Sequence, residues 1–118
     1  MPKLYLLRHA EAPSCFDLSD KDRPISPHGI AQAKKVAPHL KDIDLVLCSS
    51  ATRTKMTCDA LVDGGAMFGK TTYLDELYNA PAGDLLNALQ GCNAGNILII
   101  AHNPGIHILA NMLVEKGG

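Results

Sequence analysis

Apolar residues along this chain of 118 come in two textures, short continuous runs and longer stretches with three-and-four spacing. The runs sit within residues 4–7, 44–48, 71–74 and 96–101, the third opening on the β-branched Thr71-Thr72, and each reads as a strand. The last, Asn96-Ile97-Leu98-Ile99-Ile100-Ala101, is unbroken, a pattern suited to a sheet covered on both faces. Ser26-Pro27 marks a helix start, with serine as N-cap and proline at the first helical position. Ile30, Ala33, Val36, Ala37 and Leu40 then form one apolar stripe, which Pro38 should kink or shorten. Ser49-Ser50 is expected to cap a second helix over 51–62, ended by Gly64-Gly65. Leu85, Leu86 and Leu89 share one side of a third helix, and a fourth is predicted over 105–115.

The order β-α-β-α-β-α-β-α predicts a three-layer α/β/α sandwich with a mostly parallel sheet. Ligands of such folds collect outside the carboxyl ends of the strands. The residues just past those ends are Arg8 and His9; Arg53, across a short Ser-Ser-Ala-Thr turn; Asp75 and Glu76; and His102-Asn103-Pro104-Gly105. Two of the chain's three arginines therefore meet two of its histidines at one edge of the sheet. Guanidiniums make forked hydrogen bonds to oxyanions such as phosphate, and helix N-termini add backbone donors. An imidazole among them can attack phosphorus. A second imidazole, protonated in the anion's field, would steady the equatorial oxygens during transfer.

Composition narrows the partners. Hydrophobic residues make up 47% and charged residues 19%, as in an ordinary globular domain, and the length suits a single domain over 1–118. With a net charge of −1, no global basic field recruits nucleic acid or membrane. No apolar run approaches the roughly 18 residues of a membrane span, and the N-terminal apolar stretch is too short for a secretory segment. Cys15, Cys48, Cys58 and Cys92 form no C-x-x-C pair and no zinc-finger spacing, which suits reduced thiols in the cytoplasm. No metal or cofactor is expected.

Four blocks then resemble the histidine phosphatase superfamily, which includes phosphoglycerate mutases and acid phosphatases. Leu7-Arg8-His9-Ala10-Glu11-Ala12 resembles its R-H-G/A signature, and Arg23-Pro24-Ile25-Ser26-Pro27-His28-Gly29 its R-P-L-[ST]-x-x-G block. Ser49-Ser50-Ala51-Thr52-Arg53-Thr54-Lys55-Met56-Thr57 is similar to S-x-x-x-R-[TA]-x-x-T, and Ala101-His102-Asn103-Pro104-Gly105 to G-H-N-P. Only 22 residues separate Arg53 from Glu76, where larger members insert a lid. Leu77-Tyr78 and Asp84-Leu85-Leu86 also resemble the short branch, the SixA-type phosphohistidine phosphatases. Ala10 and Ala101 stand where glycine is common elsewhere, a variant also found in the short branch. Relatives usually continue past the fourth helix with a further strand, so an exposed sheet edge is expected.

The resemblance implies a metal-independent phosphohydrolase with His9 as the phosphorylated nucleophile and Arg8, Arg53 and His102 as the phosphate pocket. Asn103, Thr54 and Thr57 are expected to support that pocket, and Arg23 to order the loop before the first helix. Glu76 is the expected general acid, with Glu11 and Asp84 in reserve. His28, His39 and His107 read as surface or packing residues. An imidazole leaves with far less protonic help than an alkoxide, and an open site admits a protein surface, so a histidine-phosphorylated protein is the expected substrate. The alternatives are a broad small-molecule phosphomonoesterase and a non-catalytic phosphoprotein-binding module. A mutase, which must retain its substrate between two transfers, is disfavoured by the missing lid.

Overall fold

The computed structural model describes residues 3–14, 17–92 and 95–117. Strands β1 (Leu4–Arg8), β2 (Ile43–Ser49), β3 (Phe68–Leu74) and β4 (Ile97–Ala101) alternate with helices α1 (Pro27–Val36), α2 (Thr52–Asp63), α3 (Ala82–Gln90) and α4 (Gly105–Gly117). Short 3-10 turns occur at Asp20–Asp22, Ala37–His39 and Asp75–Leu77. The strands form one parallel sheet in the order β1-β4-β2-β3. β4 lies inside the sheet between β1 and β2, and all five of its residues are buried. That position explains its unbroken apolar run, since both of its faces meet helices.

The period of two along the strands divides the core. Val46 and Cys48 of β2 with Leu98 and Ile100 of β4 face α1 and α2, joining Ala33, Ala37, Ala60 and Leu61. Leu47 of β2 and Ile97, Ile99 and Ala101 of β4 face the other way, onto Leu85, Ile106 and Leu109 of α3 and α4. Helices thus cover both faces, the expected three-layer arrangement.

The helix ends follow local chemistry. Ser26 Oγ accepts from the Gly29 amide at 3.0 Å, and Pro27 opens α1. α1 stops at Val36, and Pro38 falls in the 3-10 turn that follows. Gly64 caps α2, and Gly65 takes the left-handed conformation (φ 107°) that glycine adopts at no steric cost. One expected cap differs: Ala51 is the N-cap of α2 and supplies no side-chain bond. The Ser49 hydroxyl is turned instead toward His102. Strand β3 starts three residues earlier than its β-branched stretch suggests, because parallel pairing with β2 carries it back to Phe68. Among the described residues, no helix is long and apolar enough to cross a membrane, and β1 and β3 are the two edges of the sheet. Cys48 and Cys58 are buried free thiols and Cys92 is a half-buried one; Cys15 lies outside the described residues.

Candidate active site

Strand order decides which predicted residues meet. β1 and β4 are neighbours in register, Arg8 opposite Ala101, and the His9 amide donates to the Ala101 carbonyl at 3.1 Å. The residues that follow, His9 and His102, therefore stand side by side with ring centroids 5.3 Å apart. β2 is the other neighbour of β4, and its exit leads through Ser49 into the first turn of α2, which carries Arg53.

His9 is half-buried, and its Nδ1 lies 2.7 Å from the Ala10 carbonyl. A carbonyl only accepts, so Nδ1 carries the proton and Nε2 keeps its lone pair in the neutral ring. The Arg53 Nε–H points at that nitrogen from 3.3 Å. Burial lowers the His9 pKa from its ordinary value, and the positive charges of Arg53, Arg8 and Arg23 lower it further, against the opposing Ala10 bond. The lowered pKa favours the neutral ring at pH 7, with the Nε2 lone pair turned toward Arg53. The loop behind it is held at Ala10, whose amide donates to Thr57 Oγ1 at 2.9 Å, and by the close approach of Gly29. A Cβ on Gly29 would lie 2.7 Å from the Glu11 carbonyl oxygen.

His102 is 3% exposed, and its Nε2 shares a hydrogen bond of 2.8 Å with Ser49 Oγ. Its Nδ1 is buried without a hydrogen-bond partner among the described residues. Burial, with Arg53 and His9 beside it, pushes its pKa down to about 4.

Arg53 is also 3% exposed. Besides His9, it reaches Asp20: Nη1 donates to the Asp20 carbonyl at 2.6 Å and Nη2 to Oδ2 at 3.2 Å. The Tyr78 hydroxyl donates to the same Oδ2. Tyr78 stands edge-on to His102 at 5.6 Å, with the Arg53 guanidinium 5.7 Å from its ring centre. The Tyr78 hydroxyl, then Arg23 and Arg53, hold the Asp20 carboxyl far below the usual carboxylate range.

The other expected residues are more scattered. Arg8 is exposed at the end of β1 and, with His9, Glu11 and Arg23, lines a cavity of about 660 Å³ on the α1 side of His9. Arg23 orders the loop before α1, donating to the Ala12 carbonyl at 2.5 Å and to Asp20. Asn103 is exposed, and its Oδ1 accepts from the His107 amide at 3.2 Å, leaving its amide group to donate. Thr54 bonds the Ser49 carbonyl and supports the turn from beneath. Glu76 is exposed in the 3-10 turn after β3, the edge strand farthest from β1. Three strand spacings, roughly 14 Å, separate those two strand ends. Asp84 is exposed on α3, and Glu11 accepts from Ser26 Oγ at 2.8 Å.

Sequence reasoning missed Asp20, Tyr78 and Ser49 as members of this cluster. Asp20 carried a signal, since a buried arginine needs a counter-charge and the loop before Arg23-Pro24 is acidic.

Residues 4–86 match the sequence profile of the histidine phosphatase superfamily, branch 1. The chain belongs to this superfamily. An uncharacterized protein of Mycobacterium tuberculosis is 31% identical over 119 residues, covering 95% of this chain and 72% of that protein. The structure of a candidate phosphohistidine phosphatase SixA from Nakamurella multipartitia superposes with a TM-score of 0.79 at 30% identity, over 98% of this chain and 70% of that one. A structure of the protein histidine phosphatase SixA complexed with tungstate gives a TM-score of 0.79 at 25% identity, over 93% and 75% of the two chains. Superfamily membership and these neighbours support phosphatase activity for this chain.

Proposed function

We propose that this protein is a phosphohydrolase that works through a phosphohistidine on His9, with histidine-phosphorylated proteins as its substrates. The observation that carries the first half is the state of the His9 ring: Nδ1–H is held by the Ala10 carbonyl, and Nε2 is unprotonated and faces Arg53. In this scheme Arg8 and Arg53 bind the phosphoryl oxygens, with the Asn103 amide group at the rim. When the Ser49 hydroxyl donates to His102 Nε2, the orphaned His102 Nδ1 carries the hydrogen and becomes a donor for an anion. These side chains meet the phosphoryl charge themselves, and the scheme calls on no metal.

His9 Nε2 attacks phosphorus, and the bond to the substrate nitrogen breaks. The substrate ring, protonated at its other nitrogen, departs as neutral imidazole with the electron pair. Water then cleaves phospho-His9. Support for phosphohistidine over a phosphate ester comes from Glu76, Asp84 and Glu11, none of which is hydrogen-bonded to His9, Arg53 or His102. An alkoxide needs a well-placed acid to leave, whereas imidazole, with a conjugate-acid pKa of about 6.5, does not. The similar SixA structure is named as a protein histidine phosphatase and holds tungstate, a tetrahedral oxyanion like the one this pocket would take. The buried thiols Cys48 and Cys58 fit a reducing cytoplasm, and the chain is read as one working domain.

The test compares phosphate release from a histidine-phosphorylated carrier domain, p-nitrophenyl phosphate and a phosphoserine peptide, with His9→Ala as control. Fastest release from the carrier, abolished in His9→Ala, is expected. Faster release from the nitrophenyl ester would make the protein a general phosphomonoesterase. Carrier binding without release would make it a phosphoprotein-binding module.

A further inference from the structure

None of the three carboxylates expected to handle protons is hydrogen-bonded to His9, His102 or Arg53, but a fourth, Asp20, is bonded to Arg53. Asp20 opens the 3-10 turn before α1, and its carbonyl and Oδ2 take both terminal nitrogens of Arg53. The third nitrogen of that guanidinium faces His9 Nε2 at 3.3 Å. Asp20 thus stands one guanidinium away from the nucleophilic atom. Its other oxygen, Oδ1, is anchored by Arg23 through Nε at 3.2 Å and Nη2 at 3.0 Å. Half of the side chain is open to solvent, at 50% exposure, so water has access to it.

A carboxylate placed here has a simpler role available, to neutralise an arginine that would otherwise be buried without a partner. Its position implies more, because the donors it occupies, Arg53 Nη2 and the Tyr78 hydroxyl, are ones a phosphoryl group on His9 would also seek. Once that group arrives, the carboxylate shares Arg53 with a dianion and keeps Arg23 as its tether. A carboxylate that gains a negative neighbour and loses part of its cation gains proton affinity. It therefore enters the reaction ionised and becomes a better proton acceptor when phosphorus sits on His9.

We infer that Asp20 is the general base of the hydrolytic half-reaction, taking a proton from the water that attacks phospho-His9. This rests on the phosphohistidine scheme and assigns a step that scheme left to water alone. The water oxygen bonds to phosphorus as the P–Nε2 bond breaks. The electron pair returns to Nε2, Nδ1 keeps its hydrogen on the Ala10 carbonyl, and one water proton passes to the Asp20 carboxylate. Hydrogen phosphate leaves, and Asp20 returns its proton to solvent through its exposed side.

Rapid-quench kinetics with p-nitrophenyl phosphate separate the steps, because nitrophenolate departs without an acid. Asp20→Asn should keep a nitrophenolate burst equal to the enzyme present, turn over about 10²-fold more slowly, and accumulate phospho-His9 by intact-mass measurement after alkaline quench. Asp20→Ala should behave alike and regain turnover with added formate, a small base able to fill the gap. If Asp20→Asn slows burst and turnover equally, or raises only KM, or matches the wild type, Asp20 merely seats Arg53 and the inference is overturned. Failure of formate rescue together with no accumulated phosphoenzyme would overturn it too. A His9→Ala variant that still turns over would instead sink the phosphohistidine scheme itself, whatever the Asp20 variants do.

Discussion

Burial and the adjacent Arg53 guanidinium hold His102 at about 4, and the same causes lower His9. The unfolded chain, whose histidines titrate near 6.5, therefore binds protons that the folded chain refuses. Stability is complete above that value and is lost as pH falls through it toward about 4, by an amount on the order of 3 kcal/mol for His102. Denaturant titrations between about pH 7 and pH 4 should show this loss, and His102→Gln should lose clearly less over the same interval. An equal loss in both proteins would remove His102 as the source. The catalytic counterpart has the same sign. In the proposed scheme only neutral His9 attacks, so kcat/KM should rise with pH through an apparent pKa below 6.5 and be level at neutrality. An acid limb above that value would mean that His9 is not held neutral by its surroundings. Arg53 answers to geometry rather than titration. Lysine at this position keeps the charge but cannot reach His9 and both Asp20 atoms from one planar group, so Arg53→Lys should lower kcat/KM by roughly 10²-fold.

At the scale of elements, α4 begins against the loop that follows β3. A Cβ on Gly105 would fall 2.2 Å from the Ala80 carbonyl oxygen, so Gly105→Ala must part the two segments. His102 lies three residues before Gly105, and Tyr78 lies two before Ala80, so the parting also separates the edge-to-ring contact between them. We expect a stability loss of about 1–3 kcal/mol together with reduced activity. Gly83, in the first turn of α3 with nothing within 4 Å of its would-be Cβ, is the control, and Gly83→Ala should be neutral or stabilising by up to about 1 kcal/mol. Equal effects of the two substitutions in thermal denaturation would refute this. These elements were readable in the chain because apolar runs, Ser26-Pro27 and Gly64-Gly65 are local signals. The strand exits were readable for the same reason, and with them Arg8, His9, Arg53 and His102. Strand order is not local. Nothing in the periodicity of 71–74 places β3 at the far edge, where its exit carries Glu76 away from His9. The meeting of Asp20 with Arg53 and Tyr78 spans 33 and 58 residues of chain, and only the closed sheet brings them together.

The whole molecule is a sheet whose two helical layers meet functionally at one edge. The β1 and β4 exits bring His9 and His102, the α1–α2 layer brings Arg53, the loop before α1 brings Asp20, and the loop after β3 brings Tyr78. The guanidiniums of Arg53, Arg8 and Arg23 gathered there repel one another and, with burial, hold the two imidazoles neutral, with the Asp20 carboxylate offsetting part of that charge. An oxyanion that binds only the folded arrangement relieves the remainder and must raise global stability by mass action, about 2.7 kcal/mol at a hundred times its dissociation constant. Inorganic phosphate should therefore raise Tm in a saturable manner, while potassium chloride of equal ionic strength should not. In the proposed scheme Arg53 seats the anion and His9 attacks it, so Arg53→Ala should abolish the shift, whereas His9→Ala should retain much of it. Equal shifts with phosphate and chloride would reduce the pocket to a diffuse positive field. A shift that survives in Arg53→Ala would move the anion's seat to the Arg8 and Arg23 side of His9, toward the cavity against α1.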